Sequence, residues 1–433
     1  MTSAIRPRLE LNTRLLPLLV GLLVILQLAI PFRGWIVLLV VLGGTWLIAR
    51  WWVRSLVHGL RLTREMRFGW AQVGDRVEER FTLSNTSWVP ALWAEIIDHS
   101  TLPGYQASRA TGIDESSESQ WSVWGVCTQR GAFVLGPTTL RSGDPFGVYS
   151  VTLEFPTSTT MLVLPPVVPL PDIQIAPGGR AGEGQRRIEA WERTVNASSA
   201  RDYMPGDSLS WIHWATTAHR DTLSVRLFDT TPTSDWWVFL DLDQDAQVGL
   251  GRDSTLEHGV ILAASLADQG LRSGHAVGLV AHGKDLVWLP PQRGELQRWQ
   301  ILRELAYVTS GLHSLQELFA LAKPYLKLRS SMIIITPATH GDWIKALWPF
   351  MRRGAVPTVL LFDPVSFGGQ GDGRGTLGCL TDMEIAHHLI TRAMLERPEA
   401  KPGRAGHWEW RTSPLGKAVA IHRPRETNWK ALT

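Results

Sequence analysis

"WWVFLDLDQD", running from Trp236 to Asp245, decides the fold. An apolar run with no charge before Asp241, followed by carboxylates at 241, 243 and 245, reads as a strand buried on both faces whose end meets solvent. Past it, strand-like and helix-like runs alternate: "TLEHGVILAASLADQGLRSG", "AVGLVAHG", "DLVWLP", "GELQRWQILRELAYV", "SMIIITP", "DWIKALWPFMRRG", "PTVLLFD" and "TDMEIAHHLITRAML". Such alternation predicts an open, mostly parallel sheet covered on both faces. Ligands of these folds gather beyond the carboxyl ends of the strands, so Asp241, Thr336 and Asp363, each ending an apolar strand, form a group to inspect. "FGGQGDGRGTLG", from Phe367, fits neither a phosphate-binding loop nor a dinucleotide fingerprint and is expected to be a flexible loop. His387 and His388 fall on the expected last helix, without partners at metal-ligand spacing.

Upstream, residues 65–170 change character. Short alternating stretches such as "RVEERFTLSN", "ALWAEIIDH" and "GAFVLGPTTLRS", broken by Gly, Pro, Asn and Ser, predict an antiparallel β-sandwich. Residues 171–198, opening on "PDIQIAPGGRAGEG", read as a linker, and 199–433 as the α/β domain. At the start, residues 1–64 hold two uncharged apolar runs, Leu15 to Ile30 and Trp35 to Ala49, joined by "PFRG". Each nears the length of a membrane span when its edges are included, which predicts a transmembrane helical hairpin. Arg6, Arg8 and Arg14 precede it and Arg50, Arg54, Arg61, Arg64 and Arg67 follow it, whereas the link carries only Arg33. The positive-inside rule then places both termini and the soluble domains in the cytoplasm, with the basic stretch through Arg67 against anionic headgroups of the cell membrane.

With 433 residues and a formal net charge of +3, the chain has no excess that demands a polyanion, and its arginines cluster beside the apolar runs; nucleic acid is not an expected partner. The two cysteines, Cys127 and Cys379, lack disulfide or zinc spacing and suit a reducing compartment. No catalytic signature such as GxSxG or HExxH is present, so no residue is assigned as catalytic.

"TQRGAFVLGPTTLRSGDPFGVYS" (Thr128 to Ser150) and "RDYMPGDSLSWIHWATTAHRDTLSVRLFD" (Arg201 to Asp229) resemble the hallmark motifs of the domain-of-unknown-function family 58. The resemblance implies two N-terminal transmembrane helices, a β-sandwich and a von Willebrand factor A-like domain. It also implies company with MoxR-type AAA+ ATPases, and hence a membrane-anchored, non-enzymatic scaffold or adaptor in an assembly or chaperone-related process. The motif residues are Arg201, Tyr203, Pro205, Gly206, Asp207, Trp214 and Arg220, with Gly143, Asp144, Pro145, Phe146 and Gly147 in the sandwich. Where the family has an Asp and an Arg, this chain has His213 and His219.

Physically, Pro205-Gly206-Asp207 is a turn. Arg201 and Arg220 are planar forks that either brace the turn internally, the preferred reading with Asp207 as acid, or clamp a partner's carboxylates over Trp214. "SGDPFG" reads as a turn with Phe146 packed in the sandwich core. Asp243 and Asp245 stand where a von Willebrand-type metal site has serines. The preferred expectation is a degenerate site with no cofactor, Mg²⁺ being the ion that Asp241, Asp243 and Asp245 could take. The alternative function is a metal-dependent hydrolase using these aspartates with His213 or His219 as base.

Overall fold

The computed structural model describes residues 6–66, 69–170, 173–177, 197–204, 212–220, 222–228, 235–326, 330–371, 373–395, 409–412, 418–422 and 430–431. Two apolar helices, α1 (Leu15–Ala29) and α2 (Arg33–Gly59), pack against each other across a short link. Among the described residues only α2, at 27 residues, is long and apolar enough to cross a membrane; α1 is a shorter apolar helix. The pair interrupts a β-structure instead of preceding it. Strand β1 (Arg6–Leu11) comes before α1, and β2 (Leu60–Met66) follows α2 directly. Both pair with later strands, so residues 1–64 do not form a unit separate from the β-structure.

The remaining sandwich strands are β3 (Trp70–Gln72), β4 (Arg76–Asn85), β5 (Ala91–Asp98), β6 (Arg109–Ile113), β7 (Ser117–Val126), β8 (Gly131–Leu135), β9 (Thr138–Gly143), β10 (Tyr149–Phe155) and β11 (Thr159–Leu164). One sheet runs β1-β10-β9-β5-β6, a second joins β2, β4 and β7, and β3-β11-β8 makes a third. Only β3 and β11 pair in parallel. Burial in β4 alternates along its whole length, as its sequence predicts, with Val77, Phe81 and Leu83 inward.

Arg64 corrects the membrane expectation for the basic stretch. It sits on β2, pointing inward, 7% exposed, bonded by its fork to Glu79, which is fully buried, and by Nη1 to Asp98 at 2.8 Å. A guanidinium facing two acids inside a sandwich is held by that pairing and cannot reach headgroups. Tyr105 completes the cluster by donating to Glu79. Burial, then the Glu79 charge, pushes the phenol's pKa up, so it stays a donor. Arg67 lies outside the described residues.

Past the sandwich, β12 (Ala197–Asp202) pairs antiparallel with β13 (Ser224–Phe228), with α3 (Trp214–Arg220) between them in sequence. The large sheet comprises β14 (Trp236–Leu240), β15 (Val277–His282), β16 (Leu286–Gln292), β17 (Ser331–Thr336), β18 (Val356–Phe362) and β19 (Ala386–Ile390), in the order β16-β15-β14-β17-β18-β19. All neighbours are parallel except β16 on β15. Helices α4 (Thr255–Arg272) and α5 (Glu295–Tyr307) cover one face; α6 (Leu315–Ala322), the 341–347 turn, α7 (Trp348–Met351) and α8 (Arg374–Asp382) cover the other. The strands feed both layers alternately: Trp236, Val238 and Leu240 join the first core, Trp237 and Phe239 the second. Late in the chain β20 (Glu409–Thr412) pairs with β21 (Ala418–His422), while β22 (Lys430–Ala431) adds to the edge of β2, so the segment to 433 is not all α/β domain.

Three expectations fail locally. The expected helix over "TDMEIAHHLITRAML" gives way to β19, which places His387 and His388 on an edge strand paired with β18. The glycine-rich run ends in α8, anchored by Thr376 and Leu380 four residues apart, both buried. The expected linker is docked at its start. Ile173 is buried in the α/β core, and Ala176 donates to Thr358 Oγ1 at 3.1 Å and accepts from Ser331 Oγ at 2.8 Å. Its alternating isoleucines act as a further apolar edge; residues 178–196 lie outside the described residues.

Candidate functional site at the carboxyl edge of the sheet

Chain order runs outward from β14 to β15 and β16 on one side, then returns to β17, β18 and β19 on the other. The reversal lies between the carboxyl ends of β14 and β17, the position at which open α/β sheets form a ligand crevice. Asp241 and Thr336 meet there: Thr336 Oγ1 donates to Asp241 Oδ2 at 2.6 Å. Asp363, the third strand-end residue, uses its carboxylate to accept from Ser366 N at 3.2 Å and cap the turn after β18.

β14 stops at Leu240, so the three aspartates do not share a strand face. Asp241 Oδ1 accepts from Asp243 N, and Asp243 Oδ1 from Asp245 N, both at 3.1 Å, which winds the chain into successive side-chain-closed turns. Asp243 then pairs with Gly311 through a backbone bridge. Glycine is required on this contact, because a Cβ at Gly311 would stand 2.2 Å from the backbone of Gly283. Both carboxylate oxygens of Asp241 are thus engaged within the protein, and no three His, Cys, Asp or Glu side chains group to hold a metal among the described residues. The arrangement does not fit the Mg²⁺ that a von Willebrand-type site implies.

Burial raises the Asp241 pKa to about 6, although bonds from Thr336 and the Asp243 amide pull against it. The folded pKa exceeds the ordinary 3.8, so the fold favours the protonated acid. This contribution is present below about pH 4 and lost as pH rises through about 6, a swing of at most about 3 kcal/mol. Asp241→Asn is expected to flatten the decline in thermal midpoint between pH 4 and pH 7, read by melting curves across that range. A variant that keeps the wild-type slope would remove Asp241 as its origin.

The sequence did not single out two neighbours of this crevice. His282, ending β15, stacks on His313 with ring centroids 3.6 Å apart, and His313 Nδ1 lies 3.0 Å from Glu317. Burial, then His313, lowers the His282 pKa. The loops around the crevice also carry apolar side chains turned to solvent, Leu250 at 92% and Leu312 at 76% exposure, with Val365 after β18.

The motif residues separate. Arg201 lies on β12 opposite Val225, and Tyr203 N donates to Leu223 O at 2.7 Å. Trp214 opens α3 with its ring exposed, and Arg220 closes that helix. Pro205, Gly206 and Asp207 lie outside the described residues, and with them the Arg201–Asp207 brace. His213 accepts from Thr216 N at 3.1 Å and contacts Thr216 Oγ1 at 2.7 Å, fixing the start of α3. His219 lies exposed on the same helix.

In the sandwich turn, buried Asp144 accepts from Phe146 N at 2.7 Å and Tyr149 N at 2.5 Å, and Gly147 takes φ +68°. The turn is as expected, but its aromatic is not: Phe146 is 55% exposed, because the closed turn sends Tyr149 into the core instead. Arg130, in the same motif, joins the two bodies. It donates to Leu305 O at 3.0 Å and Val308 O at 2.8 Å, the free carbonyls at the end of α5, and pairs with Glu257 in the first turn of α4.

A family model described as "Protein of unknown function DUF58" matches residues 199–367. The uncharacterized protein YeaD of Bacillus subtilis is 27% identical over 180 residues, 41% of this chain and 42% of its own. An uncharacterized protein of Mycobacterium tuberculosis is 23% identical over 171 residues, 38% of this chain and 54% of its own. The chain thus spans about half or less of the length of these curated relatives. Among solved structures, the CARDB domain of a Pyrococcus furiosus protein, in complex with di-metal ions, aligns with 24% of this chain and 94% of its own, at 9% identity and a TM-score of 0.17.

Proposed function

We propose that this protein is a membrane-anchored adaptor without catalytic activity. Helices α1 and α2 form a hairpin anchor with both ends on the cytoplasmic side, and the von Willebrand factor A-like sheet offers its carboxyl edge to a protein partner, a MoxR-type AAA+ ATPase. The observation that carries this reading is the composition of that edge. Leu312 stands exposed next to Gly311, which bridges to Asp243, and Leu250 stands exposed on the loop five residues after Asp245, while the Asp241 carboxylate is bonded inward. Apolar anchors with a charged rim suit a protein interface. A hydrolytic reading needs a carboxylate set and a base facing one point, and His213 is instead committed to α3.

A photo-crosslinking residue at Leu250 or Leu312, introduced in the full chain in intact membranes, is expected to capture the ATPase. The same group at exposed Trp214 serves as comparison. Leu312→Asp should abolish capture without lowering the thermal midpoint. Capture from Trp214 but from neither leucine would place the interface elsewhere, and capture of no ATPase from any position would remove the adaptor reading.

A further inference from the structure

The anchor is shorter than the membrane it is meant to enter. Helix α1 has 15 residues, which makes it about 22 Å long against a hydrocarbon core of about 30 Å. Helix α2 is longer, but the sandwich grips its second half: Ala49, Val53 and Leu56 are buried in the sandwich core. Trp46 fixes the level at which the helix leaves the body, donating from Nε1 to Tyr149 Oη at 2.7 Å, and Leu16 at the base of α1 packs on the same core. Above that level the free hairpin falls about 8 Å short of the hydrocarbon thickness, a deficit equal to about five helical residues.

The missing depth is present on the molecule's flank. Leu47, Ile48 and Trp51 lie on the face of α2 turned away from the sandwich and are exposed, extending the apolar surface about five residues below Trp46. At the same end of the body lies the "SGDPFG" turn. It joins β9 to β10 beside Tyr149, and the carbonyl of Val148, the residue that follows it, accepts from Asn12 N at 2.9 Å, three residues before α1 begins. Phe146 projects from this turn into solvent, and half-exposed Trp93 lies against Gly143 at the turn's other foot. Aromatic side chains at such a level are characteristic of the bilayer interface, and Arg50 and Arg54, one on each side of Trp51 along α2, can extend to headgroup phosphates.

We propose that the end of the β-sandwich is itself a lipid-contact surface, with the "SGDPFG" turn inserting Phe146 into the interfacial layer so that the short hairpin reaches across. The proposal rests on the membrane anchoring argued above. It gives the sandwich motif a role that core packing does not: the buried Asp144 carboxylate rigidifies a turn whose aromatic faces lipid.

The test uses the full chain with Cys379→Ser, carrying a single new cysteine labelled with a polarity-sensitive fluorophore and reconstituted in phosphatidylcholine–phosphatidylglycerol vesicles. Three sites are compared: Val40→Cys on α2, Phe146→Cys on the turn, and Leu250→Cys on the far body. Nitroxide-bearing lipids, with the spin label near the headgroup, are expected to quench position 146 to an extent comparable with position 40 and to leave position 250 unchanged. Quenching at 40 with none at 146 would overturn the sandwich contact while leaving the anchor standing. No quenching at any site would overturn both.

Discussion

Arg64→Ala is expected to destabilise the protein by about 3–5 kcal/mol, the loss that follows when one partner is taken from a buried ion cluster. Glu79 is fully buried and Asp98 nearly so, and both depend on the same guanidinium. Removing it leaves two carboxylates facing each other in an apolar sandwich, with Tyr105 still donating to Glu79, while the Ser100 hydroxyl loses the guanidinium it had accepted from. Arg64→Lys should recover part of the loss, because an ammonium keeps the charge but cannot bridge Glu79 and Asp98 as a fork does. Denaturant titration of the detergent-solubilised chain measures both. A loss below about 1 kcal/mol for the alanine variant would mean that the cluster behaves like a surface ion pair and that the inward placement of β2 is wrong.

Arg130→Ala is the second large effect. Here the expected loss is about 2–4 kcal/mol, from two carbonyls at the end of α5 left without donors and from Glu257 left without its cation. Its form matters more than its size. Arg130 lies between the sandwich and the α/β body, beside a cleft of about 410 Å³ lined also by Cys127 and Val260. Without it the two bodies should lose cooperativity, and calorimetry should resolve two transitions where the wild type gives one. A single, merely lowered transition would assign the coupling to the apolar contacts of Leu164 and Val168 with the α/β core instead.

The large sheet was legible because its strands are nearly all apolar and its helices keep a helical period. β14, β15, β17 and β18 lie where those runs predict, with Asp241 and Thr336 at their ends. β19 was not, because an edge strand of five residues that buries chiefly Ile390 carries almost no periodic signal. The sandwich was legible in β4 and β5, whereas β1 and β2 were hidden by the apolar runs they flank. In Arg64 the sequence offers only a basic residue near a hydrophobic stretch; its partners Glu79 and Asp98 are 15 and 34 positions away. Arg130 was concealed in the same way, since its acceptors lie 175 and 178 residues further on. Phe146 failed for a different reason: a turn signature says that the chain reverses, not which aromatic the closed turn releases.

The most direct measurement uses the protein's own thiols. Cys127 is buried, and burial pushes its pKa up to about 12, so a membrane-impermeant maleimide reads exposed Cys379 on α8. An adaptor facing the cytoplasm predicts labelling in inverted membrane vesicles and none in sealed, intact cells until they are permeabilised. Labelling of Cys379 from outside sealed cells would put the α/β body on the wrong side of the membrane for an ATP-driven partner, and the account would fail.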